Sequence, residues 1–171
     1  IKIFFKKKYN NKFIKYVEEE KPLGTFGSLS LIEKFNNKNI LVINSDILTN
    51  INFAEFYEKF QKSNCDIGLV AINFKTIMQY AILQEKHNIL IDFTEKPDYT
   101  NLVNTGVYLM KQNVISEIPN NSFFNATDLI RKYLSENKKI FIHKVDSYWK
   151  DIGKIEDYNI AKSDYNKIFS K

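Results

Sequence analysis

Apolar residues follow two different spacings along the chain. The short segments Ile40–Asn44 and Ile67–Ile72 are mostly apolar, which is typical of strands buried on both faces of a parallel sheet. Asn52 precedes an intervening helical pattern as a predicted N-cap, with Glu55 placed as in a capping box. The apolar positions of that pattern, at i, i+3, i+4 and i+7, are Phe53, Phe56, Tyr57 and Phe60. This order predicts a parallel strand, helix, strand unit with a right-handed connection.

The pattern changes after residue 80. Ala81–Gln84 and Ile89–Phe93 flank the polar triplet Lys86–Asn88, which predicts a hairpin. The remaining elements predicted from spacing are a helix carrying Leu29, Leu31, Ile32 and Phe35, a strand over Val103–Met110, a helix capped by Asn125 or Thr127, a strand over Ile140–Val145, and a final helix with an apolar stripe from Ile155 to Phe169. We therefore predict an α/β fold with a Rossmann-like mixed, mostly parallel sheet, flanked by helices and carrying a small antiparallel excursion.

Length and composition favour one soluble domain over residues 1–171. The chain has 171 residues, 44% of them hydrophobic, which is enough to supply a buried core. The longest apolar runs are far below the roughly 20 residues that cross a bilayer, so no membrane partner is expected. Cys65 is the only cysteine, which excludes an intramolecular disulfide within this chain and fits a reducing compartment. We expect a cytoplasmic protein.

The net charge of +5 raises the question of nucleic acid as a partner. Arg131 is the only arginine, so the planar guanidinium groups that read guanine edges and bind phosphates are almost absent. Aromatic residues are not interleaved with a basic stripe, as they are in single-strand binders. A solvated basic surface is the better interpretation, and we expect no nucleic-acid partner.

Four motifs carry candidate chemistry, and each has a plainer structural explanation when taken alone. The acidic stretch from Glu18 turns through Pro and Gly to Gly27, where glycines allow close approach of a flat ligand, although it also reads as a loop before a helix. Asp46 follows a strand, where α/β sheets bind ligands, but such an Asp is often a turn or a cap. Glu95–Pro97 supplies a lysine for a phosphate, or a solvated ion pair. Trp149–Gly153 places a second Asp beside a glycine turn, or forms a simple strand-to-helix turn.

Taken together, the order of these motifs resembles the nucleoside-diphosphate-sugar pyrophosphorylase family, the sugar-1-phosphate nucleotidyltransferases. The family pattern runs Pro-Leu-Gly-Thr, a strand ending in Gly-Asp, Glu-Lys-Pro, Asn-x-Gly and Trp-x-Asp-Ile-Gly. The matching segments here are Pro22–Thr25, Ser45–Asp46, Glu95–Pro97, Asn104–Gly106 and Trp149–Gly153. The resemblance covers nearly the whole chain and is closest to mannose-1-phosphate guanylyltransferase-like members.

The resemblance implies the transfer of a nucleotidyl group from a nucleoside triphosphate to a sugar 1-phosphate, with release of pyrophosphate. It implies Mg²⁺ held by Asp46 and Asp151, with Lys96 binding the sugar phosphate. The implied nucleotide-binding residues are Glu19, Leu23, Gly24, Thr25 and Gly27. The implied sugar-binding residues are Tyr80, Ala81, Glu95, Asn104, Gly106 and Trp149. A homo-oligomer is compatible with the resemblance.

Several departures from the family pattern matter for specificity. Glu19 stands where thymidylyl members have glutamine, and a carboxylate only accepts hydrogen bonds, whereas guanine offers two adjacent donors; GTP is therefore the expected nucleotide. Ser45, Ala81 and Thr105 are bulkier than the usual residues, which leaves the sugar open. The family's opening Gly-x-Gly-Thr-Arg loop, which holds the triphosphate, is not found after Ile1, so the fragment alone is expected to be inactive.

The main alternative is a non-catalytic regulatory or assembly subunit of the same superfamily, which would keep the fold without the reaction. Retention of both Asp46 and Asp151 disfavours this alternative, since a subunit without metal chemistry has no need of paired carboxylates.

Overall fold

The computed structural model describes the backbone of residues 8–9 and 12–169 and the side chains of residues 13–169; Ile1, where the predicted missing region would join, lies outside this part. The strands are β1 (Lys8–Tyr9), β2 (Lys12–Phe13), β3 (Asn39–Ile43), β4 (Ile47–Thr49), β5 (Ile67–Ile77), β6 (Ile82–Lys86), β7 (Ile89–Thr94), β8 (Asp98–Lys111), β9 (Ile140–Lys144) and β10 (Trp149–Asp151). The α-helices are α1 (Gly24–Gly27), α2 (Phe53–Ser63), α3 (Ala126–Ser135) and α4 (Ile155–Phe169), and 3₁₀ helices cover Ser28–Leu31 and Gln112–Glu117. Within the described residues no helix is both long and apolar enough to span a membrane.

The chain divides into two compact units. The first comprises Ile1–Ile40 and Met110–Ile140, and the second comprises Leu41–Leu109 and Phe141–Lys171. The single domain predicted from length and composition remains a prediction.

The main sheet has four strands in the order β3-β8-β5-β9. The backbone N–H of Asn44 donates to the carbonyl of Gly106 at 3.0 Å, and that of Gln112 donates to Lys38 at 2.8 Å. Rising numbers on one strand thus meet falling numbers on the other, so β3 and β8 are antiparallel. β8 lies between β3 and β5, which are therefore not neighbours. The predicted α/β fold with a mixed sheet and flanking helices is confirmed.

Helix α2 covers the sheet within the second unit, as its amphipathic pattern predicted. Its buried residues Phe56 and Phe60 join a core cluster with Ile51, Val70, Val107 and Leu109. The Asn52 side chain accepts from the backbone N–H groups of Ala54 and Glu55, which confirms the predicted N-cap. The Glu55 carboxylate, predicted to complete a capping box, instead forms an ion pair with Lys59 at 2.7 Å.

The predicted hairpin is also confirmed. β6 and β7 pair antiparallel, with Ile82 opposite Thr94 and a register shift between Gln84 and Glu85. His87 and Asn88 both have positive φ, of 51° and 62°, which is the backbone conformation that a two-residue hairpin turn requires.

Three local predictions were wrong or only partly right. The helix predicted through Phe35 ends earlier, because Ser28–Leu31 tightens into a 3₁₀ turn and the next residue, Ile32, is extended. β3 was predicted to be buried on both faces, but Leu41 and Ile43 are each 41% exposed. α4 was predicted to bury an apolar stripe, but Ala161 is its one fully buried residue among those described.

His143 on β9 is a buried imidazole, with only 3% of its surface exposed. Its ring stacks on Phe56, with centroids 5.4 Å apart, and its Nε2 has no hydrogen-bond partner among the described residues. Burial lowers the pKa of His143, and the nearby Lys59 ammonium lowers it further, whereas the Glu55 carboxylate opposes these effects. The folded chain therefore favours the neutral ring.

This histidine should make the fold less stable in acid. Since the pKa of His143 in the folded chain lies below its unfolded value of about 6.5, the unfolded chain takes up the proton first. The contribution is fully present above the unfolded pKa and is lost as the pH falls towards the folded pKa. Urea denaturation between about pH 8 and about pH 5 should show a smaller loss of unfolding free energy in His143→Phe than in the wild type. The control His87→Asn, in the hairpin turn, should keep the wild-type slope, and an unchanged slope in His143→Phe would contradict the assignment.

Candidate active site

Two aspartates that are far apart in the sequence come together at the ends of neighbouring strands. β4 and β10 pair antiparallel, with Asp151 opposite Ile47, the residue after Asp46. The backbone N–H of Ile152 donates to the carbonyl of Asp46 at 2.8 Å, which closes the pairing at this end. Both predicted metal-binding carboxylates therefore lie at one place in the second unit.

These carboxylates open onto a cavity of about 590 Å³. Its lining consists of Asp46, Phe74, Val103, Asn104, Trp149, Lys150, Asp151, Gly153, Lys154 and Asp157. Four of the residues implied by the family resemblance are in this set: Asp46, Asn104, Trp149 and Asp151. The cavity has the size and mixed polarity of a small-molecule site.

The side chains of Asn104 and Trp149 are held by hydrogen bonds to residues of β8. Asn104 Oδ1 accepts from the N–H of Gly106 at 3.1 Å, and Asn104 Nδ2 donates to the hydroxyl of Tyr108 at 2.8 Å. The Trp149 indole N–H donates to the carbonyl of Thr105 at 2.9 Å, which fixes the ring orientation at the cavity wall. Both groups are thus positioned before any ligand binds.

The two residues after Asn104 act in the packing beneath the cavity. Thr105 was expected to add bulk near the ligand, but it is buried and its hydroxyl donates to the carbonyl of Val70 at 2.9 Å. Gly106 has a φ of +76°, and a Cβ there would lie 2.7 Å from the Nδ2 of Asn44. Glycine at this position is explained by backbone conformation and close packing.

Charged side chains in the cavity are partly neutralised or hydrogen-bonded by other residues that line it. Asp151 Oδ1 accepts from the backbone N–H of Gly153 at 2.9 Å, which forms a tight turn around the carboxylate. The Lys150 ammonium lies 2.8 Å from Asp157 Oδ1, so these two charges balance each other. Among the described residues there is no group of three or more His, Cys, Asp or Glu side chains that could hold a metal ion by themselves.

The other residues predicted to contact the sugar or its phosphate do not line this cavity. Besides Gly106, they are Tyr80, Ala81, Glu95 and Lys96, placed around the base of the β6–β7 hairpin, where Ile82 pairs with Thr94. Tyr80 is 78% exposed. Lys96 has a φ of +40°, an uncommon conformation for a non-glycine residue, and its ammonium lies 4.0 Å from Glu95 Oε1. Their predicted roles remain predictions.

The predicted nucleobase loop belongs to the first unit, where its residues have clear structural tasks. The Glu19 carboxylate accepts from the backbone N–H of Leu23 at 3.0 Å, and the Leu23 side chain is fully buried. The Thr25 hydroxyl accepts from the N–H of Ala126 at 2.8 Å, and Asn125 Oδ1 accepts from the Thr25 N–H at 3.3 Å. The loop is thereby fastened to the start of α3.

The glycines of this loop face the same segment. Gly24 has a φ of +75°, and a Cβ there would lie 2.7 Å from Asn125 Oδ1 and 2.9 Å from the carbonyl oxygen of Phe124. A Cβ at Gly27 would collide with the carbonyl oxygen of Ser122. The sequence motif connects these glycines with the approach of a flat ligand. In the structure, close packing against the backbone of the facing segment is enough to explain why glycine is needed.

The model of the nucleotidyl transferase family matches residues 3–168. The chain belongs to the nucleotidyl transferase family. This confirms the resemblance to sugar-1-phosphate nucleotidyltransferases that the motifs indicated.

Individual relatives of this nucleotidyl transferase chain differ in the nucleotide that their names specify. The mannose-1-phosphate guanyltransferase of Debaryomyces hansenii is 31% identical over 165 residues, which cover 89% of this chain and 45% of that protein. The glucose-1-phosphate adenylyltransferase of Clostridium botulinum is 22% identical over 158 residues, 85% of this chain and 41% of that protein. The chain thus spans less than half the length of these curated relatives.

The fold of this nucleotidyl transferase chain is also found in solved structures. HddC from Yersinia pseudotuberculosis, crystallised with GMP-PN, superimposes with a TM-score of 0.65 and 22% identity, covering 91% of this chain and 68% of that one.

Sequence reasoning missed several residues that line the cavity of this family member. Three of them lie within or just after the Trp-x-Asp-Ile-Gly motif: Lys150, Lys154 and Asp157. Their closeness to Asp151 in the sequence could have identified them as site candidates. Phe74 and Val103 lie on β5 and β8, and their approach to the aspartates depends on strand pairing that no local pattern reveals.

Proposed function

We propose that this chain is part of an enzyme that transfers a nucleotidyl group, GMP by preference, from a nucleoside triphosphate to a sugar 1-phosphate. The observation that carries the proposal is the meeting of Asp46 and Asp151 at the edge of one cavity, because this pair gives the cavity the chemistry that nucleotidyl transfer needs. Family membership supports the same reaction class.

The proposed cofactor is Mg²⁺, and the ligands available in the cavity fit it. Carboxylate oxygens are the preferred ligands of this hard cation, and the described cavity lining contains no histidine or cysteine that would favour a softer metal. Two carboxylates leave room for phosphate oxygens to complete the coordination. When bound, Mg²⁺ would neutralise phosphate charge and hold the reacting groups in line.

The proposed reaction is a direct displacement. An oxygen of the sugar 1-phosphate forms a bond to the α-phosphorus of the nucleoside triphosphate, the bond between that phosphorus and the bridging oxygen breaks, and pyrophosphate leaves with the electron pair. The chain's own contribution is to position the groups. The ring of Trp149, fixed by its hydrogen bond to Thr105, offers an apolar face to a sugar. The turn from Asp151 to Gly153 holds the carboxylate in one orientation.

The test of the proposal uses the complete encoded protein. With GTP, mannose 1-phosphate and Mg²⁺, we expect release of pyrophosphate that stops when the metal is chelated. If no combination of GTP, ATP, UTP or dTTP with hexose 1-phosphates supports Mg²⁺-dependent release, the enzymatic proposal is wrong. Binding of both substrates without turnover would favour the regulatory or assembly subunit.

Relatives named as guanyltransferases at about 31% identity support the preference for guanine. We propose that this preference depends on Glu19. One Glu19 oxygen accepts from Leu23, and the second, for which the described residues provide no hydrogen-bond donor, is proposed to accept from the base. Glu19→Gln keeps an acceptor for Leu23 but replaces the second with an amide donor, so GTP should bind about tenfold more weakly. Calorimetric titration of the complete protein measures this change. Tighter binding of dTTP or UTP than of GTP by the wild type would contradict the guanine assignment, and Glu20→Gln is the matched control.

A further inference from the structure

Among the residues that the structure describes, one cation that lines the cavity forms no ion pair. The lining contains three carboxylates, Asp46, Asp151 and Asp157, and two ammonium groups, Lys150 and Lys154. Lys150 and Asp157 form an ion pair at 2.8 Å and are both about two-thirds buried. Since this ion pair has no net charge, the remaining charged groups in the lining are the two aspartates of the proposed metal site and Lys154.

Lys154 is the next residue after the turn that holds Asp151. Its side chain is exposed, and no ion pair involves it within the part of the chain that the structure describes. Its backbone position is restricted, because Gly153 before it donates to Asp151 Oδ1 and α4 begins directly after it. A flexible ammonium is therefore anchored beside the carboxylates and free to turn into the cavity.

We infer that Lys154 binds a phosphate group of the substrate in this cavity. The inference rests on the function proposed above and adds to it a residue that the family resemblance did not identify. When a divalent cation balances the charges of Asp46 and Asp151, the ammonium of Lys154 adds a positive charge to the cavity, and this charge attracts a phosphate group. Lys96, the lysine implied by the resemblance, does not line the cavity, whereas Lys154 does, and among the described residues it forms no ion pair.

The phosphate has two sources, the triphosphate and the sugar 1-phosphate, which share this chemistry. The experiment titrates pyrophosphate and mannose 1-phosphate separately into the complete encoded protein with Mg²⁺ present, following heat by calorimetry. Lys154→Gln should weaken at least one of these ligands about tenfold, and Lys154→Arg should restore most of the affinity. Loss for pyrophosphate alone assigns Lys154 to the triphosphate side, and loss for mannose 1-phosphate alone assigns it to the sugar side.

The matched control is Lys62→Gln, which removes the same charge from the last turn of α2, outside the cavity. It should leave both affinities unchanged. Binding of the wild type to both ligands with no change in Lys154→Gln would overturn the inference and leave the proposed function standing. If the wild type binds neither ligand, the proposed function is overturned and the inference with it.

Discussion

Asp151→Asn should lower the Mg²⁺-dependent release of pyrophosphate by the complete protein at least about 100-fold. The amide keeps an oxygen to accept from the Gly153 N–H, which Asp151 Oδ1 does at 2.9 Å, so the turn is retained. What is lost is the negative charge that would hold the cation opposite Asp46. Initial rates at several Mg²⁺ concentrations measure the effect, and excess Mg²⁺ should recover part of the activity.

The control for this variant is Asp92→Asn, which removes an equal charge from the exposed β7 strand. It should retain wild-type turnover. The melting temperature of Asp151→Asn should stay close to that of the wild type, since the pairing of β4 with β10 uses backbone atoms. Undiminished turnover in a folded Asp151→Asn protein would remove the two-carboxylate site from the proposal.

Gly24→Ala should destabilise the protein by about 3 kcal/mol and lower its melting temperature by roughly 10 °C. Two costs add at this position. The φ of +75° is unfavourable for any residue with a Cβ, and the new methyl group would lie 2.9 Å from the backbone oxygen of Phe124. Relief would require the loop to move away from the start of α3, to which Thr25 fastens it.

Thermal and urea denaturation measure this loss, and Gly153→Ala is the control. There a Cβ would meet only Asp151 Oδ1, at 3.2 Å, so the effect on stability should be much smaller. Equal melting temperatures for Gly24→Ala and the wild type would show that the loop tolerates a side chain. The glycine would then have to be explained by the approach of a ligand.

Local patterns predicted most of the elements because their signals are local. Asn52 caps α2, and the polar residues between Ile82 and Thr94 form the turn of the hairpin, where the sequence placed them. The helix expected through Phe35 failed because a helical spacing of apolar residues does not report the Ser30 hydroxyl, which donates to the Gly27 carbonyl at 2.7 Å within a tighter turn. The expected burial of β3 failed because an apolar run does not show which neighbours cover it.

The sequence by itself determined the family, through the order of its motifs, and with it Asp46, Asn104, Trp149 and Asp151 as site candidates. Only the tertiary structure decided which candidates share a cavity, that Lys150 is neutralised by Asp157, and that Lys154 has no such partner in the part of the chain that the structure describes. The physical reason is that residue type and spacing specify hydrogen bonds over one or two turns of chain, whereas β4 meets β10 through pairing between segments far apart in the sequence. That pairing turned two isolated aspartates into one candidate site.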